Sequence, residues 1–207
     1  MRPMSRFCLD RFLADCAQAP GSRLRAVRRL LKTAIADPDA IEACFAGEEA
    51  EEKLLCRAPN LTIVHVRLSP NVRFPPHDHA MLSLIGSYRG HELHRFFRRE
   101  SRVLRSSGEA YLREGDVLVL PPNAIHSVAN PSRIRTAAIH IYLGDLVGTP
   151  RSIWNPDTSA RVPYSDFDYF RWCRPEDPDR PFERPALCDA HAQVNSAQSA
   201  GTNGEDA

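Results

Sequence analysis

His77-Asp78-His79 and a distant third histidine, His126, are the residues of this chain best suited to chemistry. Side chains of an extended strand alternate with a period of 2, so His77 and His79 project from one face. Such a pair makes a bite for a divalent cation. One more imidazole arriving from another strand completes one face of a coordination sphere and leaves the opposite face open to water, dioxygen or a substrate. Open sites of this kind do chemistry, whereas closed four-ligand sites mostly hold a fold together. The run ahead of His126 fits that placement. Gly115-Asp116, the apolar Val117-Leu118-Val119-Leu120 and the bend Pro121-Pro122-Asn123 lead into His126, with Asn130 four positions on. A turn, a short buried strand and a proline-fixed bend aim one imidazole back into a sheet.

The elements that must carry these residues fall into three regions of different period. Residues 5–56 read as helices. Phe7, Phe12 and Leu13 mark one apolar face, and Leu24, Val27, Leu30, Leu31 and Ile35 recur at three- and four-residue steps after Gly21-Ser22. Asp37-Pro38 ends that helix and opens another bearing Ile41, Cys44 and Phe45. From Leu61 to Leu143 the pattern changes to short alternating strands, with turns at Ser69-Pro70-Asn71, Tyr88-Arg89-Gly90, Ser107-Gly108 and Asn130-Pro131-Ser132. Many short strands at this spacing suggest a sandwich or jelly-roll barrel. The expected organisation is a helical segment (1–56) packed on a barrel (57–147), then an arm (148–188) rich in Pro, Asp and Arg. Trp154, Tyr164, Phe167, Tyr169, Phe170 and Trp172 would anchor that arm, and 189–207 would form a disordered tail.

Composition narrows the function classes. A chain of 207 residues with 43% hydrophobic content is long enough for one well-buried core. The 27 basic and 26 acidic residues give a net charge of +1, so no global field draws the molecule to nucleic acid or to an anionic membrane. Arg23, Arg25, Arg28, Arg29 and Lys32 form one local basic run, and Arg95, Arg98, Arg99, Arg102 and Arg105 form another; both read as solvated or ion-paired faces. Charges interrupt the apolar residues near the N-terminus, and no stretch approaches the ~20 apolar residues of a membrane span. A cytoplasmic location is the expectation. The six cysteines, Cys8, Cys16, Cys44, Cys56, Cys173 and Cys188, lack zinc-finger or CxxC spacing and read as ordinary thiols.

Residues Gly115 to Asn130 resemble the second motif of the cupins, with Asn123 where that family usually has a glycine. Asn tolerates a positive φ better than most residues, so the exchange is physically mild. His77, His79 and Gly90 match the first cupin motif, with Ser83 in the slot where many cupins place a metal-binding glutamate. Cupins that lack this glutamate and begin the motif His-Asp-His look like the thiol dioxygenases, the cysteine dioxygenase and mercaptopropionate dioxygenase group. His77 to Gly90 and the later Ala138-Ile139-His140-Ile141-Tyr142 have recognisable counterparts there, over roughly Leu61 to Asp145.

What the resemblance implies is a mainly β fold, a cupin-type double-stranded β-helix (jelly-roll barrel) with N-terminal α-helices. It implies one Fe(II) per chain on His77, His79 and His126, with Zn, Ni or Mn as alternatives. The reaction would be oxidation of a small thiol by O2 to a sulfinate. His140 and Tyr142 match the last two members of a Ser-His-Tyr relay whose serine is Ala138 here. The cysteine that some members link to the tyrosine corresponds to Ser83, so no thioether can form. Arg57 is the candidate clamp for a substrate carboxylate. A small-molecule thiol and O2 are the expected partners of a monomer or homodimer, with neither nucleic acid nor membrane. Two other readings stay open: a metal-binding cupin with a different small-molecule reaction, and a non-catalytic small-molecule-binding cupin.

The other histidines sort by face. His65 points away from the side shared by Val64 and Val66, which disfavours it as a ligand. His91 and His94 fall on opposite faces of a strand and read as surface or edge residues. His191 belongs to the expected tail. On spacing alone His140 is a hydrogen-bonded core histidine sharing its face with Tyr142.

Overall fold

The computed structural model describes residues 7–19 and 23–182, so Gly21-Ser22, Cys188, His191 and the whole expected tail lie outside the described residues. Three helices come first: α1 (Leu9–Ala17), α2 (Arg23–Ala34) and α3 (Pro38–Cys44). Asp37 caps α3 by accepting a hydrogen bond from the Ala40 amide, and Pro38 sits in its first turn, where a missing N–H costs nothing. The helical segment stops there. Residues Glu52–Ala58 form strand β1, a correction to the helical reading of the segment up to residue 56. Antiparallel pairing with β2 (Leu61–Leu68) decides the conformation of this stretch, with a bulge between Leu54 and Cys56. Its short mixed pattern has no period of its own to announce a strand.

The remaining strands are β3 (Val72–Arg73), β4 (Ser83–Arg89), β5 (His91–Glu100), β6 (Val103–Arg113), β7 (Val117–Leu120), β8 (Ile125–Asn130), β9 (Thr136–Tyr142), β10 (Ser152–Trp154) and β11 (Arg161–Pro163), then helix α4 (Asp166–Arg171) and β12 (Arg174–Pro175). One five-stranded sheet runs β1-β2-β9-β4-β7 and the other β12-β3-β8-β5-β6, with every pairing antiparallel. The chain thus folds as a mainly β double-stranded β-helix, a jelly-roll barrel of two antiparallel sheets, with helices added at its N-terminal side. No described helix is long and apolar enough to cross a membrane.

The first sheet is covered on both faces, which explains why β2 and β9 are buried at every position. Leu61 and Ile63 of β2, Leu84 of β4, and Ile139 and Ile141 of β9 pack with Val27, Leu31 and Ile35 of the α2 region. The alternate residues of β9, namely Ala138, His140 and Tyr142, turn to the barrel interior. His65 belongs to the helix-facing side. It stacks on Phe45 with ring centroids 3.9 Å apart, and its Nε2 lies 2.6 Å from the Tyr88 hydroxyl. Burial pushes its pKa down to about 3, so it is a neutral core imidazole.

Two small residues set the geometry. The fully buried Asn130 amide donates to the carbonyls of Leu68 (3.0 Å) and Ile134 (2.8 Å), and its oxygen accepts from the Ser132 amide (2.9 Å). It therefore ties the end of β8 to the end of β2. Gly86 of β4 lies directly under Leu31, and a Cβ built there would come 2.8 Å from the Leu31 side chain. Glycine at that point lets α2 approach the sheet.

After Gly148 the chain lies against the barrel. Tyr169 packs face to face on Phe74 at 4.6 Å, and β12 pairs with β3. Cys8, Cys16, Cys44, Cys56 and Cys173 are free thiols, and burial pushes that of Cys16 up to about 12.

The close approach at Gly86 yields a stability test. Gly86→Ala should destabilise the protein by about 1–3 kcal/mol through overpacking, which thermal unfolding would register as a fall of several degrees. Leu31→Ala in the same chain should recover part of the loss. An unchanged melting temperature for Gly86→Ala would refute the tight α2–β4 seat.

Candidate metal centre

His77 and His79 do not lie on a regular strand. They sit in the connection between β3 and β4, where only His77 makes isolated bridges, to His126 and to Ile153. The sequence expectation of a strand is corrected in that respect, but the backbone is still extended enough to bring both rings to one point. Reciprocal backbone hydrogen bonds hold His77 to His126, from the His77 amide to the His126 carbonyl at 2.9 Å and back at 3.0 Å. On the other side, the Asp78 amide donates to the Ser152 carbonyl and its carboxylate accepts from the Ser152 amide. Ala80, at φ 55, then turns the chain away towards β4.

All three imidazoles are buried, and their nitrogens form a compact group able to hold a metal ion. The Nε2 of His79 is 3.3 Å from that of His77 and 3.3 Å from that of His126. With metal–nitrogen bonds of about 2.0–2.1 Å, such a spacing subtends roughly 105° at the ion. That angle lies between the octahedral and tetrahedral values.

The opposite edge of each ring is occupied. His77 Nδ1 donates to the Pro75 carbonyl at 3.0 Å, and His79 Nδ1 meets the Ser83 hydroxyl at 2.8 Å. With Nδ1 carrying the proton, Nε2 presents a bare lone pair. Burial holds His77 down at about 3, and burial followed by mutual repulsion holds His79 and His126 well below the ordinary histidine range. At neutral pH these are three uncharged ligands. The donor set fits a divalent transition metal. Ser83 supports the ring of His79 from behind, a use of that position which the motif alone does not reveal.

Tyr142 and His140 stand beside the triad. The Tyr142 ring meets His79 edge-on, with centroids 4.9 Å apart, and its hydroxyl is 3.2 Å from His140 Nδ1. Burial raises the phenol pKa, so the hydroxyl keeps its proton and can donate. His140 Nε2 is buried without a hydrogen-bond partner among the described residues. Such an atom is costly to leave unpaired, and a ligand or a water in the adjoining space would satisfy it.

That space is a cavity of about 30 Å³ lined by the three histidines, His140 and Tyr142, together with Glu52, Arg151, Tyr164 and Tyr169. Arg57 does not line it. The Arg57 guanidinium is held by Asp145 through contacts of 2.9 and 3.0 Å. The cation at the cavity is Arg151, whose guanidinium lies 3.2 Å from the centre of the Tyr164 ring. A larger hollow of about 1180 Å³ lies between α2 and the β6–β7 edge, but none of the site histidines lines it.

Sequence reasoning missed Arg151 because nothing in Pro150-Arg151-Ser152 distinguishes it from a surface arginine. It also placed His94 at the surface or an edge, whereas His94 and Glu92 are fully buried, with His94 Nδ1 at 3.2 Å from His126 Nδ1. This is corrected by the position of β5, a central strand whose Glu92 and His94 face the barrel interior. Their shared face was readable from the two-residue spacing. The inward direction was not, because a polar interior reverses the usual rule that polar residues of a strand point outward.

No family's sequence profile matches the chain, and no curated protein sequence does. Among solved structures it is similar to a cupin superfamily protein from Desulfitobacterium hafniense, at 18% identity over 45% of this chain and 76% of that one, with a TM-score of 0.38. A conserved protein with a double-stranded β-helix domain from Klebsiella pneumoniae matches at 11% identity over 52% of this chain and 80% of that one, TM-score 0.39. An oxalate decarboxylase variant from Bacillus subtilis matches at 17% identity over 51% of this chain and 25% of that one, TM-score 0.38.

Because the three rings share one point, each should matter for metal retention and little for folding. His126→Ala should lose most bound metal in elemental analysis while keeping the far-ultraviolet circular dichroism of the parent. Metal content equal to that of the unaltered protein would rule out the three-histidine centre.

Proposed function

We propose that this protein is a non-haem iron dioxygenase of the thiol dioxygenase type, acting on a small thiol. The observation that carries the reading is a group of three neutral imidazoles, with no acidic member among the described residues, set directly beside a protonated tyrosine backed by a histidine. The overall conversion is RSH + O2 → RSO2⁻ + H⁺: the S–H and O–O bonds are broken, two S–O bonds form, and sulfur is oxidised as dioxygen is reduced. Fe(II) on His77, His79 and His126 would lower the effective pKa of the thiol and supply the one-electron chemistry with O2 that side chains lack.

The protein's own contribution follows from the geometry. Tyr142 donates a hydrogen bond into the cavity and so favours the oxygen or sulfur atom on which negative charge develops. His140 fixes the direction of that phenol. With Ala138 in place of the relay serine, the imidazole has one support fewer, and its Nε2 remains available to the substrate. Arg151, rather than the Asp145-bound Arg57, is our candidate for a substrate carboxylate, because it alone of the two borders the cavity. Tyr164 lies against that guanidinium and orients it.

Oxygen uptake by the iron-loaded protein with cysteine, cysteamine and mercaptopropionate tests the reading. Tyr142→Phe should keep its iron and lose on the order of tenfold or more in turnover, as expected for a group that acts in the transition state. Absence of uptake with every thiol at full iron occupancy would remove the thiol assignment and leave a metal-binding cupin with another reaction. Arg151→Gln should raise KM for the two carboxylate-bearing thiols on the order of tenfold, the scale of a lost charge-assisted hydrogen bond. Cysteamine, which has no carboxylate, is the internal control. Equal effects on all three thiols would contradict the proposed clamp.

A further inference from the structure

A fully buried carboxylate stands at the end of a chain of hydrogen bonds that runs through two imidazoles to the candidate metal centre. Glu92 and His94 are both 0% exposed. Glu92 Oε2 lies 3.1 Å from His94 Nε2, and His94 Nδ1 lies 3.2 Å from His126 Nδ1. The Thr136 hydroxyl, at 3.4 Å, faces the other carboxylate oxygen. A carboxylate withdrawn from water loses its hydration, and buried ion or dipole pairs seldom return a net gain in stability. The pair is therefore poorly explained as a device for holding the barrel together.

Ring geometry identifies the contact between the histidines. The two rings are nearly parallel, 12° apart, with centroids separated by 5.4 Å. Their nitrogens are 3.2 Å apart, so the centroid separation is close to the nitrogen–nitrogen distance plus both ring radii. That is possible only if the rings meet edge to edge in nearly one plane. A hydrogen bond between two imidazoles needs this arrangement, since both the N–H and the lone pair lie in the ring plane.

The proton positions then follow from one end. An ionised Glu92 only accepts, so His94 Nε2 carries the hydrogen that meets it. A His126 that binds a metal through Nε2 keeps its proton on Nδ1 and donates it to His94 Nδ1, whose own hydrogen then sits on Nε2 facing Glu92. The Pro75 carbonyl sets the tautomer of His77 and the Ser83 hydroxyl holds the ring of His79, both without charge, whereas His126 is backed through His94 by an anion.

We infer that Glu92 and His94 are positioning residues for a divalent metal at the three-histidine centre, locking His126 in its Nε2-ligating tautomer and increasing its donor strength. This inference rests on the three-histidine site proposed above. Three neutral ligands leave the full charge of a divalent ion uncompensated, and Glu92 supplies a negative charge relayed by polarisation rather than by ligation. The open coordination face is kept free, which a fourth, carboxylate ligand would not allow.

Co(II) titration of the metal-free chain tests this by competition with a coloured chelator and by the ligand-field absorption of the bound ion. His94→Phe keeps the volume and removes the acceptor, and it should weaken Co(II) binding about 10- to 100-fold, the scale seen when outer partners of metal ligands are removed. Glu92→Gln, which keeps the shape but not the charge, should weaken it less and shift the absorption bands in the same direction. A purely structural role would lower the melting temperature of the metal-free protein without changing the affinity of the folded form. Affinity within about twofold of wild type in folded His94→Phe would overturn the inference; if that variant does not fold, unchanged affinity and spectrum in Glu92→Gln would do so. Wild type that fails to take up Co(II) would instead sink the three-histidine site itself, and this role with it.

Discussion

Two backbone hydrogen bonds between His77 and His126 are the constraint on which the site depends, because they join a connection with no regular structure to the middle of a sheet. A loop carrying two ligands would ordinarily sample many conformations, and ordering it costs roughly 1–2 kcal/mol per residue in backbone entropy alone. Here β8 on one side and Ser152 of β10 on the other clamp the His77–His79 stretch. The imidazoles are thus held close in space before any ion is considered, with the His77 and His126 centroids 4.6 Å apart. The residues after Gly148 belong to the centre as much as the barrel does, since they supply the second clamp, Arg151 and two tyrosines of the cavity wall.

The first sheet divides its labour by face. Most residues turned to α2 are aliphatic and build one core with the helices, while further apolar clusters lie on the other side of the sheet. The barrel interior also holds groups that would otherwise be a burden: His140 and Tyr142 from this sheet, His126, Glu92 and His94 from the other, and His77 and His79 from the β3–β4 connection. Withdrawal from water keeps the histidines of the triad uncharged and the tyrosine protonated. One physical cause therefore prepares both halves of the site, bare nitrogens for a cation and a hydroxyl able to donate.

Each ligand imidazole is supported differently, and the differences are chemically meaningful. A carbonyl behind His77 and a hydroxyl behind His79 orient without adding charge. Behind His126 stands His94, and behind His94 the buried carboxylate of Glu92.

The bend before His126 and the two-residue step from His140 to Tyr142 were legible in the sequence, because each depends on backbone periodicity or on proline stereochemistry, whereas the strand expected to carry His77 and His79 is replaced by a connection clamped on both sides. The helices of the N-terminal segment and the strand-rich middle were legible for the same reason, as repeats of apolar residues at three-to-four or two. Strand β1 was not, since pairing with β2 rather than local preference creates it. Nor were the inward turn of Glu92 and His94, the capture of Arg57 by Asp145 or the arrival of Arg151 at the cavity. A sequence determines which side chains share a face. Which face looks inward, and which charges separated by some 90 residues meet, are decided when the two sheets close on each other and water is excluded between them.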